Sequence, residues 1–398
     1  MARVALCWEL GAGVGHLTAL GAFAKTLIER GHEVQLISKN LASAALVPST
    51  RQLTTHQAPE ARNRLQLESG ACNYAELLLS CGYHDSLQLS ALVKSWRQLL
   101  TRIGANLVIA DHSPTALIAA RSIGVDCILT GSGFYWPPQQ SPMPTIQPWT
   151  GANQQRHDQQ RMVDSEDKVL GNINIALESS HTPSIGSIGT LYPAAKLALT
   201  SYLELDHYGD RDLCYVGVPD NTDFSTIPIW PNGCGDKIFI YTYGHYRHFK
   251  FLLQGLARVE NPVLVVAQGI SPGQNIDPGR RNIKIQTERV NLDEVAEQAR
   301  LVVNHGGHGI VLGFLKKGIP SLMLPHHTEG AMLAWRLAQQ NLSLAATPNP
   351  DNYDMKVMLQ TLATHQGVWD NAAKFAEKYR DGRHVTPIGT VLTAFGIA

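Results

Sequence analysis

Two stretches of this 398-residue chain set glycine and histidine directly after an apolar run. In the second half, Leu301-Val302-Val303-Asn304 reads as a buried strand and His305-Gly306-Gly307-His308-Gly309 as a turn. Ile310 to Lys317 then reads as a helix. The first amides of a helix lack partners within it and carry a partial positive charge, so they attract phosphate. Gly306, Gly307 and Gly309 let such a group approach the backbone closely. A plain strand-to-helix turn with glycines for tight packing has the same spacing, and the residues alone leave both readings open.

In the first half, the strand Val4 to Trp8 runs into Gly11-Ala12-Gly13-Val14-Gly15-His16. Gly-x-Gly-x-x-Gly after a first strand marks dinucleotide binding. Here His16 takes the sixth position, and the next strand ends at Ser38 with no acid to hold a ribose, which argues against a nicotinamide cofactor. An imidazole with an unperturbed pKa near ~6.5 can remove a proton at neutral pH. A carboxylate on its far nitrogen would fix the tautomer and stabilise the imidazolium. Asp111 ends a second apolar strand, Leu107 to Asp111, and ligands of open α/β sheets bind outside such strand ends. The alternatives are that His16 bonds a helix terminus and that Asp111 opens the turn before Ser113-Pro114. His112 competes for the base role, and Glu9 lies at the same edge, where a solvated carboxylate is expected.

The elements around these residues alternate strand and helix. Leu17, Leu20, Phe23, Ala24, Leu27 and Ile28 recur at helical spacing until Gly31, and Val34 to Ile37 follows as a strand. That βαβ unit implies a parallel sheet with a right-handed crossover. Thr115 to Ile123 reads as helix, Cys127 to Thr130 as strand, and Leu213 to Val218 as the last strand of the first half. Residues 131–160, rich in proline and glutamine, read as an extended loop whose Phe134, Tyr135, Trp136 and Trp149 either face a ligand or anchor the loop. Apolar residues make up 44% of the chain, enough for more than one core. The formal net charge of +0 gives no support for nucleic-acid binding. Six scattered cysteines without a CxxC pair suggest neither a disulfide framework nor a zinc site. With no leader-like or membrane-spanning run, a cytoplasmic protein is expected.

The run His305-Gly306-Gly307-His308-Gly309, Gly318-Ile319-Pro320, Leu324-Pro325, Glu329 and Arg336 resembles the donor-binding signature of family 1 glycosyltransferases. That group takes in the UDP-glycosyltransferases and the bacterial macrolide and antibiotic glycosyltransferases. Their motif reads roughly HGGxGT, GxP, then a proline followed by an acidic residue and glutamine. The resemblance implies the α/β GT-B fold, two facing Rossmann-like domains with parallel sheets and an interdomain cleft. It implies His16 as catalytic base and Asp111 as its partner. His305, Gly306, Gly307, His308, Gly309 and Ile310 would hold the donor diphosphate, with Gly244 and His245 matching a glycine-hydroxyl pair. Glu329 and Gly330 would meet the donor sugar, and Arg289, Val290 and Asn291 the nucleobase. Glu9, Gly15, Phe134, Tyr135 and Trp136 would line the acceptor site. Three positions depart from the pattern: Ile310 replaces Thr or Ser, Gly330 replaces Gln, and His245 replaces Ser or Thr. His245, His308, His326 and His327 are candidate replacement donors to the phosphates or sugar, or else structural side chains.

The resulting expectation is an inverting, metal-independent transferase moving a sugar from a UDP- or dTDP-sugar to a small-molecule, glycan or lipid acceptor. No tightly bound cofactor is expected, and the resembled fold needs no catalytic metal. Residues 1–218 would bind acceptor, 219–235 would link, 236–370 would bind donor, and 371–398 would pack back on the first domain. The rivals are a non-catalytic sugar-nucleotide-binding protein, and an epimerase or hydrolase on the same fold.

Overall fold

The computed structural model describes residues 1–218, 226–246, 248–270, 279–346 and 354–397. The chain divides into two compact units, Met1–Pro219 with Val385–Ala398, and Asp220–His384. Of the segment 371–398 expected on the first half, the part from Val385 groups with the first unit, while residues up to His384 stay with the second. The first seven residues of the expected linker lie outside the described residues.

In the first unit, β1 (Arg3–Trp8), β2 (Glu33–Ser38), β3 (Thr54–Gln57), β4 (Leu107–Asp111) and β5 (Asp126–Thr130) form one sheet. The order is β3-β2-β1-β4-β5, and every pairing is parallel. β1 and β4 are near-continuous apolar runs because both faces of a parallel sheet are covered. The helix Gly15–Glu29 lays Leu17, Leu20, Phe23 and Leu27 on Val4, Leu6, Leu36 and Ile109. Val391 and Leu392 of the helix Ile388–Ala394 join that core.

Two expectations for this unit differ from what is observed. Of Leu213–Val218, only β7 (Cys214–Tyr215) is strand, and it pairs with β6 (Ala198–Leu199) in a separate two-stranded sheet. Residues 131–160 are not all loop, since a helix runs from Ala152 to Glu178. Its first turns are mostly exposed, so no apolar period marks them, and glutamine is a good helix former. The proline-rich part does remain irregular. It is fastened by Met143 N–H to Glu166 Oε2 at 2.8 Å and Ile146 N–H to Cys72 O at 2.8 Å.

In the second unit, six strands form a wholly parallel sheet in the order β10-β9-β8-β11-β12-β13. These are β8 (Lys237–Tyr243), β9 (Val263–Gln268), β10 (Ile283–Gln286), β11 (Ala299–Asn304), β12 (Ser321–Met323) and β13 (Ser343–Ala345). Ile238, Ile240, Val263, Val265, Val303 and Leu322 supply the sheet side of its core.

Each sheet reverses its winding once, between β1 and β4 in the first unit and between β8 and β11 in the second. Such reversal points open a crevice at the carboxyl ends of the strands. Register sets Trp8 opposite Asp111 in one sheet and Tyr241 opposite Asn304 in the other. Among the described residues, no helix is long and apolar enough to cross a membrane.

Candidate active site

At the first reversal point, His16 is the second residue of the Gly15–Glu29 helix and Asp111 is the last residue of β4. His16 Nδ1 lies 3.0 Å from Asp111 Oδ1, and both residues are buried. The His16 ring stacks on Trp8 with centroids 5.2 Å apart. Trp8 is itself fixed by its indole N–H, which donates to Leu10 O at 2.6 Å. With Nδ1–H committed to the carboxylate, the neutral imidazole carries its lone pair on Nε2.

Two glycines shape the space around this pair. A Cβ on Gly11 would stand 2.7 Å from His16 Nε2, and Gly11 adopts φ +81°. A Cβ on Gly131 would stand 2.5 Å from Asp111 Oδ1, and Gly131 adopts φ +109°. Both positive-φ turns are open to glycine and strained for other residues. Lys39 Nζ donates to Gly11 O at 2.8 Å and so holds the first turn.

The neighbouring candidates divide into liners and anchors. Tyr135 stands beside the dyad, its ring 5.6 Å from His16 and stacked at 3.5 Å on His112. His112 itself holds the left-handed turn after β4, at φ 45°, and its carbonyl accepts from Leu10 N–H. Phe134 packs against His207 at 5.4 Å, and Trp136 Nε1–H donates to Thr130 O at 2.7 Å, so these two anchor the loop. Gly15 is exposed, and a Cβ there would meet nothing within 4 Å.

Glu9 is a correction. It is 6% exposed rather than solvated, and Thr115 N–H donates to its Oε2 at 2.9 Å. It serves the first turn of the helix Pro114–Ser122, where a carboxylate suits the helix dipole. Burial pushes its carboxyl up to about 7, against the pull of Thr115, Ala116 and Lys39. Ordinary sequence signals gave no hint of this partnership, because Glu9 and Thr115 are 106 positions apart.

At the second reversal point, β11 ends at Asn304 and the helix His308–Leu315 begins four residues later. Asn304 Oδ1 accepts from Gly306 N–H at 2.8 Å and sets the turn. The helical ladder starts with Val311 N–H on Gly307 O at 3.1 Å, so the amides of His308, Gly309 and Ile310 precede it. The N-cap residue, Gly307, has no side chain to cap this end. Ile310 turns its side chain into the core, while its amide remains in the first turn.

Gly306 and Gly330 touch backbone to backbone. A Cβ on Gly306, at φ +84°, would fall 2.9 Å from Gly330 O, and one on Gly330 would fall 2.9 Å from His305 O. This close approach explains why glycine stands at position 330, where the resembled motif carries a glutamine. Gly330 is buried and its N–H donates to His327 Nδ1 at 3.0 Å. Glu329 sits beside it in the first turn of the helix Thr328–Gln339.

A cluster of imidazoles and phenols surrounds the turn. His305 stacks on His326 at 5.0 Å and on Tyr241 at 5.5 Å, with Tyr243 at 4.7 Å. His327 lies 5.0 Å from His326, and His245 lies 5.2 Å from Tyr243. Burial first, then His326 and His327, push His305 down to about 3. His326 is more exposed at its surface, yet desolvation by its neighbours, then His327 and His245, push it down to about 4. Burial also raises Tyr241 to about 12. No motif in the sequence marks Tyr241 or Tyr243.

The other donor-site candidates already have structural duties. Gly244 N–H donates to Gln268 O at 2.7 Å. Arg289 Nε–H donates to Gln268 Oε1 at 3.0 Å. Val290 is buried, and Asn291 caps the helix Leu292–Gln298 by accepting from Asp293 and Glu294 N–H. His305, His326 and His327 could also present a ligand nitrogen each to a metal, the three atoms lying within 4.8 Å of one another.

No protein-family model matches the sequence, and no curated protein matches it. Solved structures do resemble it over its whole length. Spinosyn rhamnosyltransferase SpnG has a TM-score of 0.69 at 14% identity, with 100% of both chains covered. Glycosyltransferase VinC, in complex with DTDP, has a TM-score of 0.66 at 16% identity, covering 99% of this chain and 98% of that one. Glycosyltransferase SnogD from Streptomyces nogalater has a TM-score of 0.65 at 14% identity, covering 100% and 99%. At these identities the likeness speaks for the fold. The GT-B architecture implied by the glycine-histidine motif is the fold of this chain.

Proposed function

We propose that this protein transfers a glycosyl group from a nucleoside diphosphate donor to a hydroxyl acceptor, with inversion at the anomeric carbon. His16 Nε2 takes the hydroxyl proton as the acceptor oxygen bonds to the anomeric carbon. The bond from that carbon to the diphosphate oxygen breaks, and the diphosphate leaves with the electron pair. Asp111 holds the tautomer and offsets the charge that develops on the imidazolium. The amides of His308, Gly309 and Ile310 offset the charge that grows on the leaving group. The first unit thus serves the acceptor and the second the donor. The observation that carries this reading is the buried 3.0 Å contact between His16 and Asp111 at the sheet's reversal point.

DTDP appears with the structural neighbour VinC and thymidine diphosphate with SpnG, so dTDP-sugars are the first donors to test, with UDP-sugars beside them. The experiment incubates each donor with and without a panel of hydroxylated acceptors and follows free diphosphate and product configuration. Acceptor-dependent release with an inverted anomeric centre is expected. Equal release without acceptor would indicate a hydrolase, and conversion of the donor to an isomeric sugar nucleotide without acceptor an epimerase. Donor binding with no release across the panel would indicate a sugar-nucleotide-binding protein.

A further inference from the structure

The two members of the dyad stand on different loops, and a buried side chain joins those loops. We propose, on the reading of His16 and Asp111 as base and partner, that Glu9 and Lys39 are positioning residues of the transfer. They brace the turn on which His16 Nε2 rests and do not touch substrate.

Parallel pairing brings the two loops side by side without tying them. β1 and β4 pair with Trp8 opposite Asp111, and the chains then part. One continues through Glu9, Leu10 and Gly11 to His16. The other passes through His112 and Ser113 into the helix Pro114–Ser122. Bonds besides the dyad's own cross between them. Leu10 N–H donates to His112 O at 2.9 Å, and Thr115 N–H donates to Glu9 Oε2 at 2.9 Å. The Thr115 hydroxyl and the Ala116 amide stabilise the same carboxylate. That hydroxyl lies 2.8 Å from the buried Tyr83 hydroxyl, so the chain of bonds runs on into the core.

The helix takes this cap from outside. Pro114 has no N–H, so the first amides without a partner inside the helix are those of Thr115 and Ala116. Ser113 holds the N-cap position, where a serine ordinarily accepts from such amides. Here Ser113 makes no capping bond, and its buried hydroxyl has no partner among the described residues. A local cap would act on the helix alone. A cap that reaches over from the His16 loop also fixes the spacing of the two loops.

The same turn is held from its other side. Lys39 follows β2, and its Nζ donates to Gly11 O at 2.8 Å while its backbone N–H donates to Trp8 O at 3.0 Å. Gly11 is the residue that abuts the base, since a Cβ there would stand 2.7 Å from His16 Nε2. Glu9 and Lys39 thus grip the two ends of the segment that sets the clearance of that nitrogen. A misplacement of about 1 Å at a reacting group can cost about 10²-fold in rate.

The test compares Glu9→Met, Glu9→Gln and Lys39→Met in the full chain. Methionine keeps the reach of Glu9 and removes the acceptor. Glutamine keeps an acceptor oxygen, and a neutral group suits the place, because burial pushes the Glu9 carboxyl up to about 7. Glu9→Met and Lys39→Met are each expected to lower kcat by about 10²-fold, and Glu9→Gln to recover most of the rate. The affinity for dTDP should not change, because the proposed diphosphate site belongs to the second unit. Rates are taken well below each variant's unfolding temperature, so lost stability alone leaves kcat per folded molecule intact. A full kcat in Glu9→Met overturns the proposal and leaves Glu9 a helix cap only. Glu9→Gln as slow as Glu9→Met also overturns it, by making the charge itself the working part. If Glu9→Met fails to fold, a full rate in Lys39→Met overturns it instead. A second readout needs no acceptor. The downfield proton resonance of His16 Nδ1–H, assigned by its loss in His16→Ala, should broaden or vanish in Glu9→Met and persist in Glu9→Gln. An unchanged resonance in Glu9→Met overturns the brace. Absence of transfer by the wild type would instead defeat the underlying functional reading, with the resonance still reporting on the brace.

Discussion

His16→Ala is expected to lower kcat by about 10²- to 10⁴-fold, the usual worth of a general base, while leaving dTDP affinity unchanged. The two effects separate because the imidazole belongs to the first unit and the proposed diphosphate site to the second. Asp111→Asn should cost a similar factor for a different reason. An amide can donate to Nδ1 and so move the ring proton to Nε2, where it blocks the attack. Gly131→Ala gives an intermediate case, because its methyl would press on Asp111 Oδ1 from 2.5 Å. Steady-state kinetics over pH 6 to 9 would read all three variants. A wild-type rate in His16→Ala would show that the proton leaves by another route.

Gly306→Ala should be the most damaging small substitution in the second unit. The left-handed backbone costs an ordinary residue about 1–2 kcal/mol, and overpacking adds about 1–3 kcal/mol. Relief is hard, since the new methyl meets the backbone of Gly330 at 2.9 and 3.0 Å rather than a flexible side chain. A loss of about 2–5 kcal/mol in urea unfolding is therefore expected, with dTDP affinity at least about tenfold weaker. Gly309→Ala is the informative contrast. A Cβ there meets nothing within 4 Å, so the helix should be as stable or slightly more so. Yet dTDP should bind more weakly, because the methyl stands among the amides that a phosphate would approach. Stability retained and affinity retained together would place the phosphate elsewhere.

The sequence was most legible where apolar runs met glycine. β1 and β11 each pass through a glycine-rich turn into a helix, and both the spacing and the element types came through. β3 was invisible because Thr54–Gln57 is a short edge strand with no apolar alternation. The start of the Ala152–Glu178 helix was hidden by exposed glutamines, which carry propensity but no period. Within the site, His16 and Asp111 could be named from chemistry and strand ends, but not their contact, which spans 95 positions. Glu9 and Gly330 were misleading for the same kind of reason. Glu9 is polar yet buried because a distant helix end receives it. Gly330 looked like a lost sugar contact, whereas the backbone of Gly306 occupies the space a side chain would need. Pairwise approach of this sort leaves no trace in composition or periodicity.

Hydrogen exchange read by mass spectrometry, with and without saturating dTDP, bears most directly on the whole scheme. Peptides covering His305 to Leu312 should exchange more slowly once the anion engages the amides of His308, Gly309 and Ile310. Unchanged exchange there, with protection at some other segment of a chain that demonstrably binds dTDP, would mean the donor docks elsewhere and the proposed division of labour is wrong.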